Sequence, residues 1–93
     1  MSIKQMLMVW EREIGDGKYQ QILLAMADKA DEEGGSLYPS LDYLAWMTEL
    51  HKNTVRRKIN ALIKMGVLEV IEEATPRRSA QYQLHLNKLP YKM

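Results

Sequence analysis

The sequence contains no cysteine and no long hydrophobic run. Without cysteine the chain can form neither disulfide bonds nor thiolate metal sites, which agrees with a reducing compartment. No stretch approaches the roughly 20 apolar residues of a membrane-spanning helix. The first residues, MSIKQMLMVWERE, carry one early lysine and no small-residue cleavage site, unlike a signal peptide. We therefore expect a cytoplasmic protein that makes no contact with a membrane.

Catalytic motifs are missing as well. The two histidines, His51 and His85, are distant in sequence and have no carboxylate or second histidine at the spacing of a metal site. Neither a glycine-rich phosphate loop nor a serine-elbow motif is present. We therefore expect no enzymatic activity, no cofactor, no bound metal and no small-molecule substrate.

The charge of the chain is unevenly distributed. Its 93 residues, 46% hydrophobic and 27% charged, suit one small globular domain, and the net charge is +1. Residues 1–47 contain four Lys/Arg against eight Asp/Glu, a net of −4, whereas residues 48–93 contain nine against four, a net of +5. This polarity points to an anionic partner such as nucleic acid better than the total does. The alternative is a chance clustering of surface charges.

Two helical patterns separated by a short turn occupy the centre of the chain, over residues 40–48 and 52–66. The apolar residues that share one helical face are Leu41, Leu44 and Ala45 in the first helix and Val55, Ile59 and Leu62 in the second. The opposite face of the second helix is polar and largely cationic, which suits a helix that rests on a core and faces a DNA groove. Two helices joined by so short a turn form a helix-turn-helix unit.

Two further helices are predicted upstream, over residues 3–14 and 17–32. The second is amphipathic, and Asp16 is available as its N-cap. The first has apolar residues at helical spacing that we expect to pack on the domain. These residues are Ile3, Leu7, Trp10 and Ile14.

Downstream, residues 67–86 predict a β-hairpin, because two β-rich segments enclose a polar, basic loop. The extended segment before Pro39 is a candidate third strand beside this hairpin. The tail, residues 87–93, has a proline and no periodicity, so we expect it to run over the surface. All of these elements are expected to form a single domain, residues 1–93.

The stretch PSLDYLAWMTELHKNTVRRKINALIKMGVLEV resembles the winged helix-turn-helix domains of phage and plasmid replication initiators and related small regulators. The likeness rests on the Pro-Ser that opens a helix, the Leu-Ala pair, the Thr-Val-x-Arg run and the closing glycine before a strand. Together with ILLAMADKADEEGG it covers roughly residues 18–72. The resemblance implies a mainly α fold with a small β wing: three to four helices plus a two- or three-stranded antiparallel hairpin. It also implies binding of double-stranded DNA.

Candidate DNA contacts lie on the polar face of the helix 52–66 and in the hairpin loop. Arginine can fork onto guanine and asparagine onto adenine, whereas cations and hydroxyls suit phosphate. The candidates for base contacts are Asn53, Arg56 and Asn60, and those for phosphate contacts are Lys52, Thr54, Arg57 and Lys64. Arg77 and Arg78 stand where the wing would reach the minor groove or the adjacent backbone. Thr54 and Arg57 match the Thr-x-x-Arg positions of the resembled family. The alternative is a solvated basic surface without a DNA ligand.

Three departures from the resembled family concern the turn and the helix before it. Glu49 replaces a glycine, so we expect a wider or less left-handed turn, with a negative charge near the groove. His51 replaces the usual serine cap. Trp46 and Met47 occupy positions that are usually polar, and they are a candidate partner or dimer surface. Alternatively, one of them covers the N-terminal helix.

These patterns lead to one functional hypothesis and one rival. The hypothesis is a sequence-specific DNA-binding domain of a phage- or plasmid-type replication initiator or transcription regulator, acting alone, as a homodimer or with a replication or transcription protein. It places helix 52–66 in the major groove and the wing on the adjacent backbone or minor groove. The rival is a protein-interaction winged helix, an adaptor or inhibitor that uses the Trp46–Met47 surface and the acidic N-terminal half.

Overall fold

The fold consists of four α-helices followed by a small antiparallel hairpin. The structure is a computed structural model that describes residues 2–93. Within that range the elements are α1 (Ile3–Glu11), α2 (Gly17–Lys29), α3 (Leu41–Thr48), α4 (Lys52–Lys64), β1 (Leu68–Glu72) and β2 (Gln81–Leu84), with a 3₁₀ turn at Leu86–Lys88. This confirms the predicted class, a mainly α fold with a small β wing. None of the helices within residues 2–93 has the length and apolar character needed to cross a lipid bilayer.

Each helix begins at a side chain that accepts a hydrogen bond from the first turn. The acceptors are Ser2 Oγ (from Gln5 N, 3.1 Å), Asp16 Oδ1 (from Lys18 N, 2.7 Å), Ser40 Oγ (from Tyr43 N, 2.9 Å) and His51 Nδ1 (from Asn53 N, 3.1 Å). Such caps satisfy backbone N–H groups that have no partner within the helix, and a serine cap contributes about 1 kcal/mol. The caps fix where the helices start, and α1 and α2 both end about three residues before the predicted boundaries.

The hydrophobic core lies between α2, the helix-turn-helix pair and the inner face of the hairpin. Helix α2 supplies Ile22, Leu23 and Met26, all fully buried. The fully buried residues that meet them include Leu37, Leu44, Val55, Leu62, Leu68 and Leu86. Burial of a large apolar side chain contributes about 1.5–3 kcal/mol. These contacts therefore anchor the apolar face of α4 on the core and leave its polar face directed to solvent.

Helix α1 does not pack as its sequence predicts. The apolar residues Ile3, Leu7 and Trp10 are 68%, 54% and 53% exposed, whereas Gln5 and Val9 are buried. The reason is a polar contact: Gln5 Nε2 donates to the backbone oxygen of Glu32 at 2.7 Å, which turns the glutamine inward. The bond is partly buried, and a partly buried carbonyl without a donor would cost free energy. The expectation that these residues pack on the domain is therefore wrong for Ile3, Leu7 and Trp10, whereas Ile14, beyond the end of α1, is partly buried against the core.

The hairpin, which we call the wing, is antiparallel. Leu68 pairs with Leu84 and Val70 with Tyr82, and a bulge between Val70 and Glu72 bends β1. The segment before Pro39 adds one bridge, in which Tyr82 N donates to Leu37 O at 2.8 Å. This bridge is what the extended segment before Pro39 predicts.

The C-terminal tail is fastened to the N-terminal part of the chain. Leu89 is buried, Glu13 N donates to Pro90 O at 2.8 Å, and Lys92 N donates to Glu11 O at 2.9 Å. Arg12 adds a bond from Nη1 to Leu89 O at 2.8 Å, and its guanidinium lies 3.8 Å from the centre of the Tyr91 ring. The tail therefore closes α1 at its C-terminal end, and the expectation that it only runs over the surface is wrong.

Candidate nucleic-acid interface

The turn between α3 and α4 is tight and left-handed. Glu49 adopts φ 59° and ψ 27°, a conformation that costs a residue with a Cβ about 1–2 kcal/mol. Thr48 stabilises the turn, because its Oγ1 donates to Leu44 O at 2.7 Å and accepts from Leu50 N at 3.4 Å. The expectation that glutamate would widen the turn or make it less left-handed is therefore wrong. The fold accepts the strain at Glu49 and keeps the geometry.

Helix α4 divides cleanly into a buried and an exposed face. Val55, Ile59 and Leu62 are at most 5% exposed, as the sequence pattern predicts. The exposed residues on the opposite side are Asn53, Arg56, Arg57, Asn60 and Lys64. No residue of α4 is acidic, so its outward face presents only amides and cations. This arrangement is chemically suited to an anionic ligand with a groove that can receive a helix.

The candidates for base contacts lie side by side on this outward face. Arg56 Nη1 donates to Asn53 Oδ1 at 3.0 Å, and Asn60 follows one turn later. The bond uses one of the five N–H groups of the guanidinium, which leaves the others free to fork onto a base. The bond uses only the Oδ1 atom of Asn53, so both N–H groups of its side-chain amide remain free to donate. The two side chains are therefore already in hydrogen-bond contact without a ligand.

Lys52 lies at the edge of α4 that faces α3. Its ammonium forms an ion pair with Asp42, and both side chains are more than half exposed. An exposed ion pair contributes at most about 1 kcal/mol, so a stronger anion can replace Asp42 at little cost.

The opposite edge of α4 forms a basic cleft with the start of α2. This cleft, of about 300 Å³, is lined by Lys18, Tyr19, Thr54, Arg57 and Lys58. Lys58 Nζ lies 3.3 Å from Asp16 Oδ2 and 4.4 Å from the centre of the Tyr19 ring. The backbone N–H of Lys18, and then the Lys58 ammonium, hold the pKa of Asp16 below its ordinary value of 3.8. The cleft therefore gathers three cations and two hydroxyls, and one of the cations, Lys58, is paired with the Asp16 carboxylate.

A second cleft, of about 400 Å³, separates the start of α3 from the wing. Its lining is rich in hydroxyls: Ser36, Tyr38, Ser40, Tyr43 and Ser79. Lys29 lies at its edge, with its ammonium 5.0 Å from the centre of the Tyr43 ring. Burial, and then the nearby Asp28 carboxylate, raise the pKa of Tyr43 above its ordinary value of 10.0. We call this the hydroxyl cleft.

The two arginines of the wing have different surroundings. The loop closes in a turn with paired backbone bonds between Thr75 and Arg78, of 3.0 and 3.3 Å, and this places Arg77 at the tip. Arg78 forms an ion pair with Glu72 on β1. Arg77 has no ion-pair partner among the residues that the structure describes. The sequence does not distinguish these two residues, whereas in the structure only Arg78 of the two is paired with a carboxylate.

Trp46 and Met47 point to different places. Trp46 is 73% exposed, with its ring centre 6.4 Å from that of Tyr43. Met47 is 42% exposed and borders a groove of about 320 Å³ that it shares with Met6 of α1 and Leu24 of α2. They therefore do not form one continuous patch on α3.

Lys18, Lys29 and Lys58 are cations that the sequence pattern does not single out. Lys58 lies between the buried and the outward face of α4 and is partly buried. Its spacing from the other residues of the helix therefore places it in neither the core nor the DNA-facing set. Lys18 shares a cleft with residues of α4 that are distant from it in sequence. Asp16, recognisable as a cap, was the one signal that could have drawn attention to the start of α2.

Comparison with known proteins gives one match. A family model described as a helix-turn-helix domain matches residues 21–68, from within α2 to the start of β1. Comparisons with curated proteins and with solved structures each give no match. The matched region holds α3, the left-handed turn and α4, and it ends where the wing begins.

Proposed function

Since the chain belongs to the helix-turn-helix domain family, we propose that it binds double-stranded DNA sequence-specifically, with α4 in the major groove. The observation that carries this proposal is the outward face of α4, which presents Asn53, Arg56 and Asn60 between cationic edges and contains no acid. Helices of this kind contact bases through their N-terminal residues. The hydrogen-bonded Arg56–Asn53 pair lies in that part of the helix.

Base reading and phosphate binding are divided between the centre and the edges of α4. Arg56 reads guanine, and Asn53 or Asn60 reads adenine. Thr54, Arg57 and the basic cleft hold the phosphates on one side of the groove, and Lys52 with the hydroxyl cleft holds those on the other. Lys64 contacts the backbone further along. Two rows of phosphate contacts fix the depth and register at which bases are read.

The wing contacts DNA beside the groove that α4 occupies. Arg77 is its principal contact, because Arg78 is already paired with Glu72. Arginine at the tip of a hairpin suits the minor groove or the adjacent backbone.

The biological role that we propose is initiation of replication or regulation of transcription, of phage or plasmid type. The support is the likeness of residues 18–72 to such domains, in particular Thr54 and Arg57 at the start of α4. A single small domain makes few base contacts, so two copies, or a replication or transcription partner, would provide the specificity.

A second function, protein interaction, is favoured by one observation. Trp46 is 73% exposed on α3, and tryptophan is enriched at the centres of protein interfaces. In this alternative the Trp46 surface holds a protein partner and α4 is only a solvated basic face.

Fluorescence anisotropy of a labelled random duplex across a range of salt concentrations tests the proposal. We expect salt-dependent binding that is lost in the Arg56→Ala/Arg57→Ala variant, because about two phosphate- or base-directed cations are removed. The Lys88→Ala/Lys92→Ala variant removes the same charge from the C-terminal tail and should bind nearly as the parent does. Equal losses of affinity in both variants would mean that binding depends on the net charge of the protein and not on α4. Absence of binding at low salt would overturn the proposal in favour of a protein partner.

A further inference from the structure

Helix α1 presents an apolar stripe that no other described part of the chain covers. Ile3, Leu7 and Trp10 follow each other at intervals of four and three residues along its outer side, each more than half exposed. The nearest neighbour on this side is Lys92, whose ammonium lies 5.9 Å from the centre of the Trp10 ring. Contiguous large apolar side chains on a small domain mark a contact surface. We propose that this stripe joins two copies of the chain, whose α1 helices pair in antiparallel orientation.

The spacing of the stripe is that of a coiled-coil seam. Intervals of four and three residues place Leu7 at an a position and Ile3 and Trp10 at d positions of a heptad. The residues that follow each d position, Lys4 and Glu11, then occupy e positions and flank the seam. Both are exposed, and neither has an ion-pair partner among residues 2–93. The apolar stripe and the two charged residues beside it therefore fit the same heptad.

Charge selects the antiparallel orientation and a second copy as the occupant. In an antiparallel pair the e positions of the two helices face each other, so Lys4 of each copy meets Glu11 of the other. Both ion pairs form at once by symmetry. In a parallel pair Glu11 would instead face the g position, which Met6 occupies, and no ion pair would form. The stripe is thus self-complementary in the way that a two-fold interface requires.

The apolar contacts agree with this arrangement. Antiparallel packing sets a against d, so Leu7 of each copy lies on Trp10 of the other, and Ile3 covers the ends of the seam. A nine-residue helix is only about 13 Å long, so the interface is smaller than the roughly 1,200 Å² of standard stable complexes. We therefore expect a weak dimer that exchanges reversibly with the monomer.

The dimer leaves the proposed DNA surface accessible. Helix α1 packs on α2 and the 3₁₀ turn, whereas α4 packs on α3 and β1. Pairing through α1 therefore does not require α4 and does not depend on the proposed DNA binding. If both occur, each dimer carries two copies of α4, and the second binding event becomes intramolecular.

Sedimentation equilibrium of the full chain without DNA tests this proposal. We expect a monomer–dimer equilibrium in the parent and a loss of affinity of at least about tenfold in Leu7→Asp, because two buried charges are introduced per symmetric dimer. Ile71→Asp, which introduces the same charge at an exposed apolar residue of β1, is the matched control and should leave the equilibrium unchanged. Circular dichroism verifies that α1 remains folded in Leu7→Asp.

A charge-reversal pair tests the orientation separately. Lys4→Glu alone and Glu11→Lys alone place like charges opposite each other and should each weaken the dimer several-fold. An equimolar mixture of the two variants restores both ion pairs and should associate as well as the parent. A parent that stays monomeric, or a dimer lost in Ile71→Asp but kept in Leu7→Asp, would overturn the interface. Failure of the mixture to recover would overturn the antiparallel arrangement.

Discussion

Helices α1 and α4 are both amphipathic, yet they use their apolar sides in opposite ways. Helix α4 buries Val55, Ile59 and Leu62 and shows its polar face, whereas α1 buries Gln5 and Val9 and shows Ile3, Leu7 and Trp10. The difference arises because α4 closes the core with its apolar stripe, whereas α1 docks on α2 through Val9, Met6 and Met8 and adds the bond from Gln5 to Glu32 O. Periodicity thus identifies an apolar stripe without telling which surface will cover it.

The sharpest test of this contrast applies the same substitution to both stripes. Leu62→Ala on α4 should lower the free energy of unfolding by about 2–5 kcal/mol, because a fully buried side chain leaves a cavity. Leu7→Ala on α1 should change it by no more than about 0.5 kcal/mol. Urea denaturation, at protein concentrations too low for dimerisation, measures both. Similar losses in the two variants would mean that the α1 stripe is covered within one chain.

The outward face of α4 is tested by separating its two arginines. Arg56→Ala should relax base preference by about 1–3 kcal/mol at one position of the DNA site, since it removes a base contact. Arg57→Ala should weaken binding to all sequences alike and lower the salt slope by about one. Binding of both variants to a selected site and to a random duplex distinguishes the two effects. Equal, sequence-independent losses would remove Arg56 from base reading.

The polar attachment of α1 can be tested by making the helix more hydrophobic. Gln5→Leu should destabilise the protein by about 1–2 kcal/mol, because Glu32 O loses its donor at a partly buried position. Gln21→Leu, an exposed glutamine on α2, is the control and should have little effect. Thermal unfolding measures both variants. A stabilised Gln5→Leu protein would show that apolar burial governs how α1 docks.

The protein should become more stable when Glu49, in the turn before α4, is replaced by glycine, the residue usual at this position in the resembled family. Glu49→Gly removes the strain of the left-handed backbone but enlarges the freedom of the unfolded chain, for a net gain of about 0.5–1 kcal/mol. Glu49→Gln keeps the strain and removes only the charge, so it should not raise the stability. Differential scanning calorimetry provides the comparison. Equal stabilisation by both variants would assign the effect to charge.

The smallest effect expected is the pH dependence linked to Asp16. Its pKa is lowered in the folded state, first by the Lys18 backbone N–H and then by Lys58, so its carboxylate stabilises the fold above the unfolded value of 3.8. That contribution disappears as pH falls through the lowered folded pKa. Asp16→Asn keeps a capping oxygen but cannot ionise, so its stability deficit should shrink on acidification. A deficit that stays constant from neutral to acid pH would contradict the linkage.

Sequence reasoning succeeds here where contacts are local or dictated by the core. The faces of α4, the cap at Asp16, the wing and the bridge from Leu37 all follow from spacing and side-chain chemistry. It fails where distant segments meet. The Gln5–Glu32 bond lies on the side of α1 that the apolar spacing predicts to face solvent. The cleft that Lys18 and Lys58 share lies between α2 and α4, and the spacing of residues within either helix does not predict it. At Glu49 it fails for another reason, since a well-packed turn can hold a strained residue.

Two of the cations proposed to meet phosphate already hold a carboxylate, Lys52 with Asp42 and Lys58 with Asp16. When a phosphate displaces such a carboxylate, the freed aspartate attracts a cation from solution, which offsets part of the counterion release from DNA. The salt dependence of binding reports only the net release. A salt titration of this domain would therefore count fewer phosphates than its surface touches.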